Sequence, residues 1–149
     1  MLVVLGSFLM VTAITTAWGK EGEREAVDLS SYRWRHRLLL IFTPSADVPA
    51  YQALVEKLIR ERAEVLDRDL IVFHLVDQGQ NQVGEAVLSP QGAETLRQRF
   101  GVPKNQFRVI LIGKDGGVKL SQRSVDLANV FGLIDSMPMR QREMQEKRR

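Results

Sequence analysis

The chain contains no cysteine among its 149 residues. Disulfide bonds, thiol–disulfide exchange, cysteine-dependent peroxidase chemistry and thiolate metal sites are therefore all excluded. Histidine is nearly as scarce, with His36 and His74 the only imidazoles. They are too far apart for an HExxH arrangement, and no close acidic cluster accompanies them, so neither a metal nor a cofactor is expected. Net charge is also low, at +3. The segment Arg140–Arg149 accounts for that excess, because Arg140, Arg142, Lys147, Arg148 and Arg149 outnumber Glu143 and Glu146. The remaining chain is balanced, which argues against the broad cationic face that nucleic-acid binding requires. The end of the chain reads as a solvated, partly helical tail; weak contact with an anionic surface through Arg140–Arg149 is its alternative role.

Apolar residues make up 44% and charged residues 26% of the chain, the balance of one ordinary globular domain. A chain of this length buries a core without disulfides or metal. Residues 1–17 carry no charged side chain and give way abruptly to polar sequence. Thr15 and Ala17 place small residues at the −3 and −1 positions of a signal-peptide cleavage site. The run is short for a membrane span, which takes roughly 20 residues. Its departure from the signal-peptide pattern is that the first charge is Lys20. A periplasmic or secreted location is expected, with an uncleaved membrane anchor as the alternative.

A polar arm over 18–31 precedes Leu38-Leu39-Leu40-Ile41-Phe42, a continuous apolar run suited to a strand buried on both faces. Helical spacing of apolar residues predicts a helix over about 48–66, with Ser45 or Asp47 as its N-cap. Leu70–Val76 is a second β-branched strand, giving a parallel βαβ unit. Residues 77–88 read as a Gly- and Gln-rich loop. Ser89-Pro90 starts a helix that Gly101 ends. Residues 107–112 form a strand, Lys114-Asp115-Gly116-Gly117 a hairpin turn and Val118–Leu120 the returning strand. A last amphipathic helix covers about 125–134, and Pro138 restarts a helix near the end. The order β-α-β-α-β-β-α is the thioredoxin-like one: an α/β domain with a mixed central sheet and helices on both faces. The expected divisions are 1–17, a signal peptide; 18–31, the arm; 32–136, the thioredoxin-like domain; and 137–149, the basic tail.

Four segments carry a resemblance: Tyr32–Leu40, Asp67-Arg68-Asp69-Leu70, Leu111–Lys119 and Ile134–Arg140. Together they resemble the domain of unknown function 4174 family over about 28–144. The resemblance implies exported bacterial proteins, modules of animal matrix and sushi-repeat proteins, and kinship with thioredoxin and peroxiredoxin folds. It implies no established activity.

In thioredoxin-like redox proteins the reactive thiol follows the first buried strand, where a helix N-terminus lowers its pKa. Here Thr43, Ser45 and Asp47 hold that place. A serine hydroxyl lacks a thiol's acidity and needs an adjacent base, which neither histidine is placed to be. Arg33, Trp34 and Arg37 form an aromatic–basic run before the first strand and are candidate partner contacts. The competing reading packs Trp34 on the core and pairs the arginines with carboxylates. The chemistry points to a non-redox binding or scaffold module for an unknown protein or small ligand. Its expected face combines the Thr43–Asp47 loop, the 77–84 loop and the segment before Pro103, at the carboxyl end of the parallel strands. The alternative is a cysteine-independent enzyme acting on a small anionic substrate at Thr43–Asp47.

Overall fold

A computed structural model describes residues 23, 24 and 26–149. The export-like segment 1–17 and most of the polar arm lie outside the described residues. The strands are β1 (Glu23–Arg24), β2 (Arg37–Thr43), β3 (Leu70–Val76), β4 (Asn81–Val83), β5 (Ala86–Leu88), β6 (Arg108–Ile112) and β7 (Val118–Gln122). The helices are α1 (Pro49–Arg60), α2 (Arg62–Asp67), α3 (Pro90–Phe100), α4 (Leu127–Asp135) and α5 (Pro138–Lys147), with a 3-10 turn at Leu29–Tyr32. The strands form one mixed sheet in the order β1-β5-β4-β3-β2-β6-β7.

β2 lies inside the sheet, between β3 and β6, because it is apolar on both faces. It pairs parallel with β3 from Arg37↔Leu70 to Thr43↔Val76, and antiparallel with β6 from Leu38↔Ile112 to Phe42↔Arg108. Alternation along β2 divides the core. Leu38, Leu40 and Phe42 pack with Phe73, Leu75 and the Ala93 and Leu96 side chains of α3. Leu39 and Ile41 face the other way, against Leu54 and Leu58 of α1 and Val130 and Ile134 of α4. Each such fully buried side chain contributes about 2 kcal/mol. The α/β class, mixed sheet and two helical layers agree with the sequence reading, and the element order is consistent with a thioredoxin-like arrangement.

Local differences have local causes. The helix expected over 48–66 is broken at Glu61, whose backbone leaves helical geometry at φ −103°, ψ 29°. Nothing in the chemistry of Glu61 requires the break. The stretch 77–88 is not a plain loop, because β4 and β5 form a hairpin with Gly84 at φ 58°. Buried Asn81 anchors that hairpin, its Oδ1 accepting the Val76 N–H at 2.7 Å. Neither Ser45 nor Asp47 caps α1. Val48 holds the N-cap without a side-chain bond, and Pro49 in the first turn presents no N–H. Ser89 does cap α3, accepting the Gly92 N–H at 3.0 Å, and Gly101 ends it at φ 62°.

Candidate functional site

At the carboxyl end of the parallel strands the connecting loops converge as expected. Thr43 and Pro44 carbonyls accept the Asp77 and Gln78 N–H groups at 3.1 and 3.0 Å. A polar cleft of about 480 Å³ opens beside them, lined by Pro44, Asp77, Asn81, Gln91, Lys104 and Asn105 among others. Ser45 and Asp47 do not line it. The Thr43 hydroxyl donates to the Ser45 carbonyl at 2.9 Å, and the Ser45 hydroxyl donates to Asp47 Oδ1, so the loop is tied to itself. Asp77 is engaged from below by buried Arg97, at 2.5 Å. The guanidinium of Arg97 also stacks 5.2 Å from the Phe42 ring centroid and donates to the Pro103 carbonyl at 3.2 Å. Burial nevertheless holds the Asp77 carboxyl above its ordinary value, because desolvation outweighs the Arg97 charge.

Neither histidine approaches Ser45. The ring of His74, on β3, meets the Tyr51 hydroxyl of α1 at 3.0 Å between Nδ1 and Oη. Burial pushes the His74 pKa down and the Tyr51 pKa up. Both side chains line a larger groove of about 760 Å³ along the outer edge of β3. That groove exists because β4 pairs only with Phe73 and His74, leaving the first half of β3 beyond its reach. Its walls include Val55, Leu58, Ile59, Leu66 and Val72, and Arg62 and Glu85 form a 3.3 Å ion pair at its rim. Ile59 and Leu66, which both line it, are 72% and 62% exposed, so the apolar surface is gathered along the groove.

The remaining sequence-marked residues occupy the opposite end of the sheet. Arg33, Trp34 and Arg37 precede or begin β2, whereas Thr43, Ser45 and Asp47 follow or form its end, roughly 20 Å away along a seven-residue strand. The six do not form one site. Trp34 is 62% exposed rather than packed on the core. Arg37, in contrast, is 1% exposed and lies inside an ionic cluster.

Arg37 thus pairs with a carboxylate, as the competing reading had it, but the cluster that joins several elements is the feature sequence reasoning missed. Arg37 donates to both Glu143 carboxylate oxygens at 3.1 Å and to the Arg68 carbonyl at 2.9 Å. Lys114 bridges Asp69 at 2.8 Å and Glu143 at 2.7 Å. Arg68 reaches Glu64 at 2.5 Å and Asp135 at 2.6 Å, with its guanidinium 4.5 Å from the Phe131 ring centroid. Arg140, 2% exposed, joins Asp67 and Asp135, and Lys147 also pairs with Asp67. The helix expected from Pro138 does form, but it is clamped onto the sheet rather than solvated, because its charges match carboxylates and cations left at the strand ends. The Nε atoms of Arg37 and Arg68 alone are buried without a hydrogen-bond partner among the described side chains.

Electrostatics follow the geometry. Hydrogen bonds from Lys147 and then Arg140 bring Asp67 down to about 2. Burial raises the Asp135 and Glu143 carboxyls, but bonds from Arg68 and Arg140, and from Arg37 and Lys114, bring both below their ordinary values. With every carboxylate matched to a cation, the cluster reads as a clamp. No group of His, Asp and Glu among the described residues is arranged to hold a metal ion.

Comparison with known proteins places these observations. Residues 28–143 match the family model described as a domain of unknown function, DUF4174. The chain is 30% identical over 133 residues to Coiled-coil domain-containing protein 80 of Danio rerio, covering 78% of this chain and 15% of that protein. It is 29% identical over 122 residues to the Sushi repeat-containing protein SRPX of Homo sapiens and of Rattus norvegicus, covering 78% of this chain and 26% of each. The chain thus spans well under two thirds of each relative's length. No solved structure matches it. The segments that carried the resemblance, with Arg37, Arg68, Lys114 and Arg140, are those that assemble the ionic clamp, and the chain belongs to the DUF4174 family of domains of unknown function.

Proposed function

We propose that the domain is an exported, non-redox binding module that recognises an apolar segment of a partner protein in the groove along β3. The observation carrying this reading is the groove itself: a concavity of about 760 Å³ with Val55, Leu58 and Val72 in its walls and Ile59 and Leu66 exposed along it. The Tyr51–His74 pair supplies a polar anchor among the apolar walls, and Arg35, His36, Arg62, Gln82 and Glu85 add polar groups to the lining. Export is supported by the uncharged segment 1–17 and by likeness to Sushi repeat-containing proteins. No described helix is long and apolar enough to cross a membrane.

The enzyme alternative at Thr43–Asp47 draws no support from the geometry. Ser45 is bonded to Asp47, lacks an imidazole neighbour and sits outside the adjoining cleft. A hydroxyl so placed has a lone carboxylate beside it and no imidazole to activate it.

Cross-linking capture from the exporting compartment tests the reading with two variants. Ile59→Glu with Leu66→Glu is expected to lose the captured partner. Ser45→Ala with Asp47→Ala is expected to retain it. Retention by the groove variant and loss by the loop variant would move the site to the carboxyl end.

A further inference from the structure

Trp34 has φ 67°, in the left-handed region that a bulky side chain rarely adopts. Two bonds hold it there: its own N–H donates to the Lys114 carbonyl at 2.6 Å, and Arg33 Nε donates to the Asp115 carbonyl at 3.2 Å. The strained conformation does not bury the indole, which is 62% exposed. Instead the Arg33 guanidinium lies 5.6 Å from its ring centroid, fixing both side chains. An exposed tryptophan that folding holds in a costly backbone state gains nothing for the core.

Arg33 also lines a cleft of about 470 Å³ whose other walls include Leu29, Arg99, Phe100, Gly116 and Val118. Gly116 sits at φ 84°, and a β-carbon there would fall 3.0 Å from Arg33 Nε, so the turn is shaped to admit that arginine. Arg99 lies across the cleft, 5.7 Å over the Phe100 ring. Arg33, Arg35 and Arg99 form no ion pair among the described residues, in contrast to Arg37, Arg68, Arg97 and Arg140. The nearby carboxylates are engaged locally, Asp115 by Lys119 and Asp28 by hydrogen bonds from Ser30, with Arg99 adding a weaker attraction to Asp28 and no ion pair.

We infer that Trp34, Arg33 and Arg99 form a second recognition surface, for an acidic polypeptide segment carrying an apolar or aromatic residue. The unpaired guanidinium groups take carboxylates, for which their planar fork is suited. Trp34 supplies the rigid aromatic contact, and the apolar floor of Leu29, Phe100 and Val118 receives the side chain between the charges. A polyanion such as a nucleic acid or sulfated polysaccharide would leave that apolar floor unused and would find few cations along its length. This surface is independent of the β3 groove and is tested by different variants.

The test is selection of short random displayed peptides on the immobilised chain, followed by fluorescence anisotropy of the most enriched peptide. Enriched sequences are expected to be net acidic around an apolar or aromatic residue, and to bind more weakly as salt rises. Trp34→Gly removes the indole and also relieves the positive φ, so it is expected to keep or raise the melting temperature while weakening the peptide roughly thirtyfold. Arg33→Gln with Arg99→Gln is expected to abolish the acidic preference. Selection without acidic enrichment, or equal affinity for Trp34→Gly, would overturn the proposal. Tighter binding of a sulfated octasaccharide than of the peptide would overturn the assignment to a polypeptide.

Discussion

Arg37 and Glu143 stand 106 positions apart in the chain and meet through two parallel hydrogen bonds of 3.1 Å. The guanidinium sits at the start of β2 and the carboxylate on the last helix. Lys114 completes the contact from the β6–β7 turn. One carboxylate therefore neutralises two buried cations supplied by separate parts of the sheet.

Glu143→Ala should consequently be costly. It leaves Arg37 buried without its counter-charge and Lys114 with Asp69 alone. Breaking a buried pair from one side costs about 3 kcal/mol when, as here, the removed partner is partly exposed. For a chain of this size that lowers the melting temperature by roughly 10 °C. Deleting residues 137–149 should lower it further, since Arg140 and Lys147 are lost too. Thermal unfolding of the two variants checks both statements; an unchanged transition on deletion would restore the solvated-tail reading.

The same cluster fixes behaviour in acid. The Asp67, Asp135 and Glu143 carboxyls all lie below their ordinary values in the folded chain. A depressed carboxyl stabilises the fold above its unfolded pKa, near 4, and that contribution fades as pH falls through the folded value. Asp67, at about 2, marks the lower limit of the window. Urea midpoints should thus fall progressively from about pH 5 to pH 2. Asp135→Asn should lower the midpoint at neutral pH and flatten this acid slope; a parallel curve would remove Asp135 from the account.

How far sequence carried the fold depended on where information is local. The apolar run Leu38–Phe42, the Ser89-Pro90 start, Gly101 and the Lys114–Gly117 turn each act within a few residues, so each was readable. The β4–β5 hairpin was hidden by short strands and polar glutamines, although Gly84-Glu85 between Val83 and Ala86 was a usable turn signal. The ionic clamp was unreadable because its charges come from several separate elements and become neighbours only after the sheet forms. Arg37 and Arg140 look the same in sequence as the exposed Arg33 and Arg142. The candidate site suffered likewise, for Arg33 is exposed while Arg37, four residues on, is buried in the clamp, and the Ser45 hydroxyl is taken up by Asp47.

Two serines separate capping by chemistry from capping by position. Ser89 accepts the Gly92 N–H, so Ser89→Ala should destabilise the domain by about 1 kcal/mol. The Ser45 hydroxyl bonds to Asp47 outside the helix, and Ser45→Ala should stay within about 0.5 kcal/mol of the parent. Chemical denaturation of the pair decides it. A loss at Ser45 equal to that at Ser89 would return Ser45 to the capping role expected from its place before α1.

His74 provides a separate probe of the β3 groove near neutrality. Burial lowers its pKa, so the folded chain favours the uncharged ring bonded to Tyr51. As pH drops below about 6.5, the unfolded chain takes up a proton that the folded chain resists. Stability therefore rises with pH between about 5 and 7, with about 1.4 kcal/mol per pH unit as the ceiling for one proton. Asp77, whose carboxyl is raised by burial, contributes the opposite slope, but from the ordinary carboxylate value upward, so its influence is greatest at the acidic end. His74→Gln removes the titration while leaving a polar group toward Tyr51. Its urea midpoint should be flatter than the parent's from pH 5 to 7, and an unchanged slope would mean that His74 titrates alike in both states. If a bound apolar segment seals the groove, it buries His74 more deeply and steepens the parent slope, whereas the His74→Gln variant stays flat.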